Sequence, residues 1–382
     1  YLKTHYPSHF IASVLSSEQD KTDKLEPHVK DCSLMGIDIL PPDINNSFSN
    51  FVVNSQNQIE YGLAALKDVG TKFVEEVCLQ RQSGPFKNLM DFASRVDLRK
   101  GGIRALQSLA KSGAFDGICE RDLAISSIRN YLEASEQKFK SKESGVMEMF
   151  DSNEDLKVAK LEITNFSDSE KLKMELESFG FYFSQHPISL LRPTLSSRLK
   201  PINRLNTTNS EKFLPVLINH KRVVRKGSNI FVFLEVSDET GVIDVSVPNE
   251  LYEEKRNEFK ENKVVMIKGT VSADDYRREN LEDVGIKVRA TDIMSIDSSR
   301  ALVTSYIRLI LPMNSLKTLA NGSFKQFEEL NSPNGVDVML EFKDTEKNLS
   351  TEIKVDSFRI SLEDSTFEKL NKLIGEGNYT LF

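Results

Sequence analysis

Cysteine is scarce in this chain of 382 residues, and the three present, Cys32, Cys78 and Cys119, form no CxxC pair. An odd, scattered set excludes a disulfide framework and the usual zinc spacings. His5, His9, His28, His186 and His220 are equally dispersed, so no metal-ligand constellation is visible. No apolar run approaches the roughly 20 residues needed to cross a bilayer. Neither a signal peptide nor an initiator methionine opens the chain; it starts at Tyr1, in what reads as mid-helix. The expectation is a piece of a longer protein, in a reducing cytoplasm, without membrane contact. What is present is a globular composition, 39% hydrophobic and 28% charged with a net charge of −7, long enough for two to four domains.

Residues 61–117 organise the rest. They open with YGLAALKDVGTKFVEEV and close with IRALQSLAKSGAFDG. Each half predicts a short helix, a tight glycine-bearing turn and a second short helix. Leu63 and Leu66 precede the turn of Lys67, Asp68, Val69 and Gly70, and Phe73, Val74 and Val77 follow at helical spacing. Leu106, Leu109 and Ala110 precede Lys111, Ser112, Gly113 and Ala114. Glycine permits a positive φ and leaves backbone N–H groups bare. Such amides at a helix N-terminus hold phosphate oxygens, and two hairpins in tandem would grip a nucleic-acid backbone without reading its sequence. The candidate contacts are Lys67, Val69, Gly70, Thr71, Lys72, Lys111, Ser112, Gly113 and Ala114. Hairpins packed only for stability give the same pattern. Charge favours the nucleic-acid reading: positions 61–111 hold nine basic and five acidic residues, or +4, within an acidic chain.

Upstream, YLKTHYPSHFIASVLS predicts a helix end, a break at Pro7 and a new helix. A helix over 22–35 should follow, with Leu25, Val29 and Cys32 on one face. ILPPDIN predicts an extended turn, and FVVNSQNQIEYG a β-hairpin turning at 54–57. The succession of YLKTHYPSHFIAS, MGIDILPPDIN, IEYGLAALKDVG, SGPFKNLMDFASRVD and LAKSGAFD resembles the alpha-subunit family of bacterial DNA polymerase III, the replicative polymerase. The resemblance runs from near the end of the fingers domain to the C-terminus and covers essentially the whole chain. ILPPDIN together with the two hairpins carries it. Asp68 departs from the family, which has glycine before the apolar residue of the first hairpin. An acid there would repel phosphate, which shifts weight to the second hairpin.

The resemblance implies further roles. The family carries an internal peptide for the beta sliding clamp, Gln-x-x-(Leu or Met)-Phe, and Val146, Met147, Glu148, Met149 and Phe150 fall at that position, with Val146 replacing glutamine. A hydrophobic anchor onto the chain's own fold remains the alternative. His186-Pro187 resembles a Gly-His-Pro step, with Gln185 for glycine, and is read as structural. The palm carboxylates that would hold Mg²⁺ in the intact polymerase lie upstream of Tyr1 in the family. This piece is therefore expected to need no cofactor and not to polymerise alone.

FLPVLINH, NIFVFLEVSD, GVIDVSVP, KVVMIKGTVS and IKVRATDIMSI read as strands, with a helix over 249–260 after the third. That order predicts an OB-fold β-barrel, which binds single strands on aromatics in a basic groove. Lys221, Arg222, Arg225 and Lys226 before the second strand, and Tyr276, Arg277 and Arg278 before the last, are its candidate contacts. Phe231 and Phe233 share a face; they are expected in the barrel core, with base stacking on its outside as the alternative. Residues 301–382 read strand, helix (314–330), strand, strand, helix (365–374), strand, a small α+β domain. From Glu341 to Phe382 nine acids meet six bases, which disfavours DNA. The family's partner here is the tau subunit of the clamp loader. The terminal NYTLF also resembles a clamp peptide, but Tyr379 and Leu381 alternate as in a strand.

The expected fold class is thus multidomain: α-helical with tandem helix-hairpin-helix, then an OB-fold β-barrel, then a small α+β domain. The divisions are 1–60 (end of fingers), 61–130 (hairpins), 131–200 (linker with clamp peptide), 201–297 (barrel) and 298–382 (tau-binding-like). The function expected is the C-terminal DNA-, clamp- and clamp-loader-binding portion of a replicative polymerase, holding primer–template duplex and single-stranded template and conferring processivity. Two other readings stay open. A DNA ligase also combines hairpins with an OB barrel, though no nucleotidyl-lysine motif is present. VVRKGSNIFVFLEVSDETG is similar to the anticodon-binding OB module of tRNA-binding proteins.

Overall fold

A proline at the first helical position has no amide to lose, and Pro7 accordingly ends one helix and starts the next. The computed structural model describes residues 1–143, 166–207, 210–226, 229–273, 286–313, 327–344 and 349–382. They form two units, Tyr1–Ser184 and Gln185–Phe382.

In the first unit, α1 (Leu2–His5) and α2 (Pro7–Ser17) flank that break, and α3 (Thr22–Leu34) buries Leu25 and Cys32. Strands β1 (Ile39–Leu40), β2 (Val52–Val53) and β3 (Ile59–Glu60) form a small sheet in the order β1-β3-β2. The β2–β3 hairpin turns as expected: the Asn54 side chain accepts from the Gln56 and Gln58 amides, and Asn57 takes φ +62°. Only six residues separate β3 from Lys67. They close a single 3-10 turn (Leu63–Ala65) instead of the expected α-helix, because a nucleus that short gains too few hydrogen bonds. Helices α4 (Thr71–Arg81), α5 (Leu89–Arg95), α6 (Gly102–Lys111), α7 (Arg121–Glu143) and α8 (Asp168–Ser178) complete the unit. Ser167 and Glu170 form a capping box on α8.

One core joins these pieces, including Leu63, Leu66, Phe73, Val77, Leu106, Leu109 and Phe115. An aromatic knot sits within it. Phe51, Phe179 and Phe183 surround the Tyr61 ring at centroid distances of 4.7, 5.1 and 5.5 Å. Burial pushes the Tyr61 phenol well above its ordinary range.

In the second unit, α9 (Pro187–Leu191) is capped by His186, whose Nδ1 accepts from the Ile188 amide while Nε2 lies 3.0 Å from Ser237 Oγ. His186 is thus a structural peg. Strands β4 (Glu211–Lys226), β5 (Asn229–Asp238), β6 (Gly241–Val247), β7 (Val264–Ala273) and β8 (Ile286–Met294) close into a barrel of order β4-β5-β6-β8-β7, the five-stranded OB architecture. Val232, Leu234, Val236, Val245, Val265 and Val288 fill it. Helix α10 (Asn249–Glu254) is shorter than the expected 249–260. Phe259 must reach the barrel core, where it is fully buried, so the chain leaves the helix early.

A short helix beyond those expected from the sequence, α11 (Ile296–Val303), follows under a Ser295 cap. Strands β9 (Tyr306–Pro312), β10 (Asn331–Asp344), β11 (Leu349–Ile360) and β12 (Tyr379–Leu381) form a sheet of order β11-β10-β9-β12, with α12 (Asp364–Ile374) before the last strand. β9 and β10 run parallel. Most of the expected helix over 314–330 lies outside the described residues. The terminal segment is a strand: Tyr379 and Leu381 are buried, and Phe382 stacks on Tyr306 at 5.0 Å. Buried Arg300 ties these parts together, reaching Asp297, Asp364, the Leu362 carbonyl and Thr194 Oγ1 at 2.7–3.2 Å.

Gly113 takes φ +83°, and a Cβ there would strike Arg121 and Asp116. Gly70 takes φ −81°, with open space at its Cβ. Gly113→Ala is therefore expected to lower the stability of the first unit by about 1–2 kcal/mol, and Gly70→Ala to stay within about 0.5 kcal/mol of wild type. Equal urea midpoints for the two variants would contradict this backbone assignment.

Candidate nucleic-acid interfaces

The first turn presents amides to solvent. Lys67 N–H donates to the Ser178 carbonyl (2.8 Å) and Val69 N–H to Leu66 (3.2 Å). Gly70 then caps α4, and among the described residues the amides of Gly70, Thr71 and Lys72 have no intramolecular acceptor. All three residues are exposed. The left-handed residue is Asp68, at φ +62°, and not Gly70. Asp tolerates that conformation with a modest penalty, so the departure at Asp68 keeps the backbone shape that glycine would give. Lys72 lies in the first turn of α4, which holds no acid. A cation at the positive end of a helix dipole is unfavourable by about 0.3–1 kcal/mol, and an anion bound there would reverse the sign.

The second turn differs. Gly113 N–H bonds the Ala110 carbonyl (3.2 Å) and Ala114 N–H the Leu109 carbonyl (3.0 Å). This is a Schellman cap. Ser112 N–H is engaged by Ser108, and all three residues are buried. The next helix, α7, starts only at Arg121. The expectation of bare amides at Ser112, Gly113 and Ala114 therefore fails: the glycine ends a helix here and does not begin one. Lys111 pairs with Glu177 at 2.5 Å. The basic island is largely neutralised in the same way. Arg95 pairs with Asp91, Arg99 with Asp97 and Lys100 with Glu76, whose hydrogen bond from Lys100 holds its carboxyl below the usual range. Arg81 donates to the Ile44 and Ser47 carbonyls. Lys72, Lys87 and Arg104 remain exposed.

In the barrel, β4 runs on past its pairing with β7, which ends at Leu217, and pairs with β5 alone up to Lys226. The four basic residues expected in a loop are thus in a strand, where alternation splits them. Lys221 turns inward, its Nζ donating to the Phe259 carbonyl at 2.9 Å. Arg222 turns outward, 5.4 Å from the Phe233 ring centroid. Arg225 is exposed, and the backbone of Lys226 is in register with that of Asn229 at the end of the ribbon.

Phe231 and Phe233 were expected in the core. They are instead 44% and 37% exposed, while Val232 and Leu234 between them are buried. Register aligns Arg222, Phe233, Ser246 and exposed Arg289 in one row across β4, β5, β6 and β8, with Val224 beside Phe231. One aromatic ring between two guanidiniums, with a second ring beside it on the same strand, can stack bases and meet phosphates on the barrel's outer face. The FVF alternation was the available signal. It marks a shared face without saying which face meets solvent. Tyr276, Arg277 and Arg278, and Val146, Met147, Glu148, Met149 and Phe150, lie outside the described residues.

Among the described residues, no group of three or more His, Cys, Asp or Glu is arranged to hold a metal ion, and no helix is long and apolar enough to cross a membrane.

Comparison with known proteins places residues 36–123 under a helix-hairpin-helix motif model and residues 217–296 under an OB-fold nucleic acid binding domain model. The chain is 32% identical over 327 residues to the DNA polymerase III subunit alpha of Pasteurella multocida, covering 83% of this chain and 28% of that protein. The Haemophilus influenzae subunit is likewise 32% identical, covering 87% and 29%, and the Vibrio cholerae subunit is 26% identical over all of this chain and 33% of its own length. Asparaginyl-tRNA synthetase from Pyrococcus horikoshii overlays 27% of this chain and 21% of its own at 20% identity, with a TM-score of 0.19, too small an overlap to carry an argument. The chain spans under a third of the relatives it matches, and over that span it is homologous to the alpha subunits of bacterial DNA polymerase III.

Proposed function

We propose that this chain is the nucleic-acid-holding portion of a replicative DNA polymerase alpha subunit. The observation that carries the reading is the exposed pair Phe231 and Phe233 on the barrel's outer face, Phe233 in one row with Arg222 and Arg289, in a chain homologous to those subunits. The barrel face stacks bases of the single-stranded template. The bare amides at the start of α4, with Lys72, hold a duplex phosphate. Residues 146–150 tether the beta sliding clamp, and residues 298–382 dock the tau subunit of the clamp loader. The intact cytoplasmic protein would be a DNA-directed DNA polymerase whose Mg²⁺-binding carboxylates lie elsewhere in its sequence, so this portion alone would not extend a primer.

Phe231→Ala/Phe233→Ala is expected to weaken single-strand binding by about 1–3 kcal/mol per stacked base and to leave the unfolding midpoint nearly unchanged, because both rings are exposed. Undiminished affinity for oligo(dT) in a fluorescence titration would sink the barrel assignment. Stronger binding to tRNA than to oligo(dT) would favour an RNA-binding module, which the same stacking face would also serve.

For duplex DNA, Lys72→Glu should lower the log–log salt slope by about 0.9, whereas Lys111→Glu, whose wild-type lysine is held by Glu177, should change it less. The reverse order would return the duplex contact to the second turn. Met149→Ala/Phe150→Ala should abolish retention on immobilised sliding clamp from the same organism, while deletion of Phe382 should not. Retention by the alanine variant would exclude the internal tether.

A further inference from the structure

Beyond the barrel the β4–β5 ribbon stands with both faces at the surface, because residues 224–226 and 229–231 pair only with each other. Its outer face carries Val224, Phe231 and Phe233. Its other face closes over α10 to form a cleft of about 480 Å³ lined by Val223, Arg225, Ile230, Tyr252, Glu253 and Arg256.

The chemistry of this cleft is cationic and braced. The Arg256 guanidinium and the Lys221 ammonium each lie 5.8 Å from the Tyr252 ring centroid, a distance at which the ring quadrupole attracts a cation. Tyr252 is itself packed at 5.6 Å on buried Phe259, so the ring is a fixed platform. Arg225 and Arg256 are exposed, and neither forms an ion pair among the described residues. Glu253 is the single acid in the lining. In the lining, two guanidiniums face one carboxylate. Like-charged guanidiniums converging on one cleft repel each other, and a bound anion removes that repulsion. Guanidinium forks match phosphate oxygens in geometry. The apolar floor of Val223 and Ile230 leaves room for a base or sugar beside that phosphate.

We infer that this cleft is a second subsite for single-stranded nucleic acid, in which Arg225 and Arg256 hold a phosphodiester after the strand rounds the ribbon from the Phe231 and Phe233 face. The subsite rests on the reading of the barrel as a single-strand binder and extends the path by at least one phosphate.

The test is titration of fluorescent oligo(dT) with the 382-residue chain between 0.05 and 0.3 M salt. Arg256→Gln should lower the log–log slope by about 0.7, the value for one single-strand phosphate contact, which is about a fivefold loss at 0.1 M relative to 1 M salt. Glu253→Gln should strengthen binding, and Lys260→Gln, an exposed lysine outside the lining, should do neither. Wild-type slope and affinity in Arg256→Gln, with loss in Phe231→Ala/Phe233→Ala, would overturn the cleft and leave the outer face standing. An equal loss in Lys260→Gln would overturn it in favour of diffuse attraction. No loss in any variant would remove the barrel reading, and the cleft with it.

Discussion

A backbone amide inside a fold must find an acceptor, because leaving it unpaired away from water costs about as much as a lost hydrogen bond. The two turns of the first unit meet that demand in opposite ways. At Ser112, Gly113 and Ala114 the chain folds back on α6, and its own last carbonyls take the amides. At Lys67 the acceptor is the Ser178 carbonyl at the end of α8, so the aromatic knot of Tyr61, Phe179 and Phe183 also fixes the first turn. Among the described residues the amides of Asp68, Gly70, Thr71 and Lys72 then remain without an intramolecular acceptor, and the last three face solvent at the start of a helix. Two stretches that look alike as glycine-bearing turns therefore differ in what they offer a ligand.

A comparable rule governs the barrel. Side chains on a strand alternate between faces, so burying Val232 and Leu234 compels Phe231 and Phe233 to face outward. The same rule divides KRVVRK. Lys221 goes to the Phe259 carbonyl and the Tyr252 ring, Arg222 to the Phe233 ring, and Arg225 to the cleft. Had the segment been a loop, as its charge suggested, no geometry would have separated these cations. Pairing with β5 does so, and it makes the ribbon a two-sided element.

The order of helical hairpins, barrel and α+β region was legible because it rests on periodicity, which is local. Leu25, Val29 and Cys32 recur as a helix requires, and Ile243, Val245 and Val247 as a strand requires. Part of what failed depended on partners distant in sequence. Nothing near Lys111 announces Glu177, 66 residues on; Gly113, by contrast, bonds a local acceptor, Ala110, and a glycine-bearing turn reads alike whether it ends a helix or begins one. The sign of the local charge was similarly deceptive. Composition counts cations, but Arg95, Arg99 and Lys100 are matched by carboxylates within hydrogen-bonding reach. For the phenylalanines, alternation specified a shared face but not which face, and the choice followed hydrophobicity.

A chain of net charge −7 can hold a polyanion only if its free cations act locally. Screening at physiological salt falls off over about 8 Å, and a row crossing four strands spans about 14 Å at the usual strand spacing. A phosphate on that row therefore interacts with Arg222 or Arg289 far more than with the acids of the terminal sheet, where Arg308 already meets Glu341 and Glu352. With two cations, Arg222 and Arg289, on that row, each contact is weak. Under the proposed function, in which the held strand would also slide, weak contacts suit the task, since one tight site would stop movement. Several weak sites on one chain raise avidity by roughly 10²–10⁴ through effective concentration, and each can release independently.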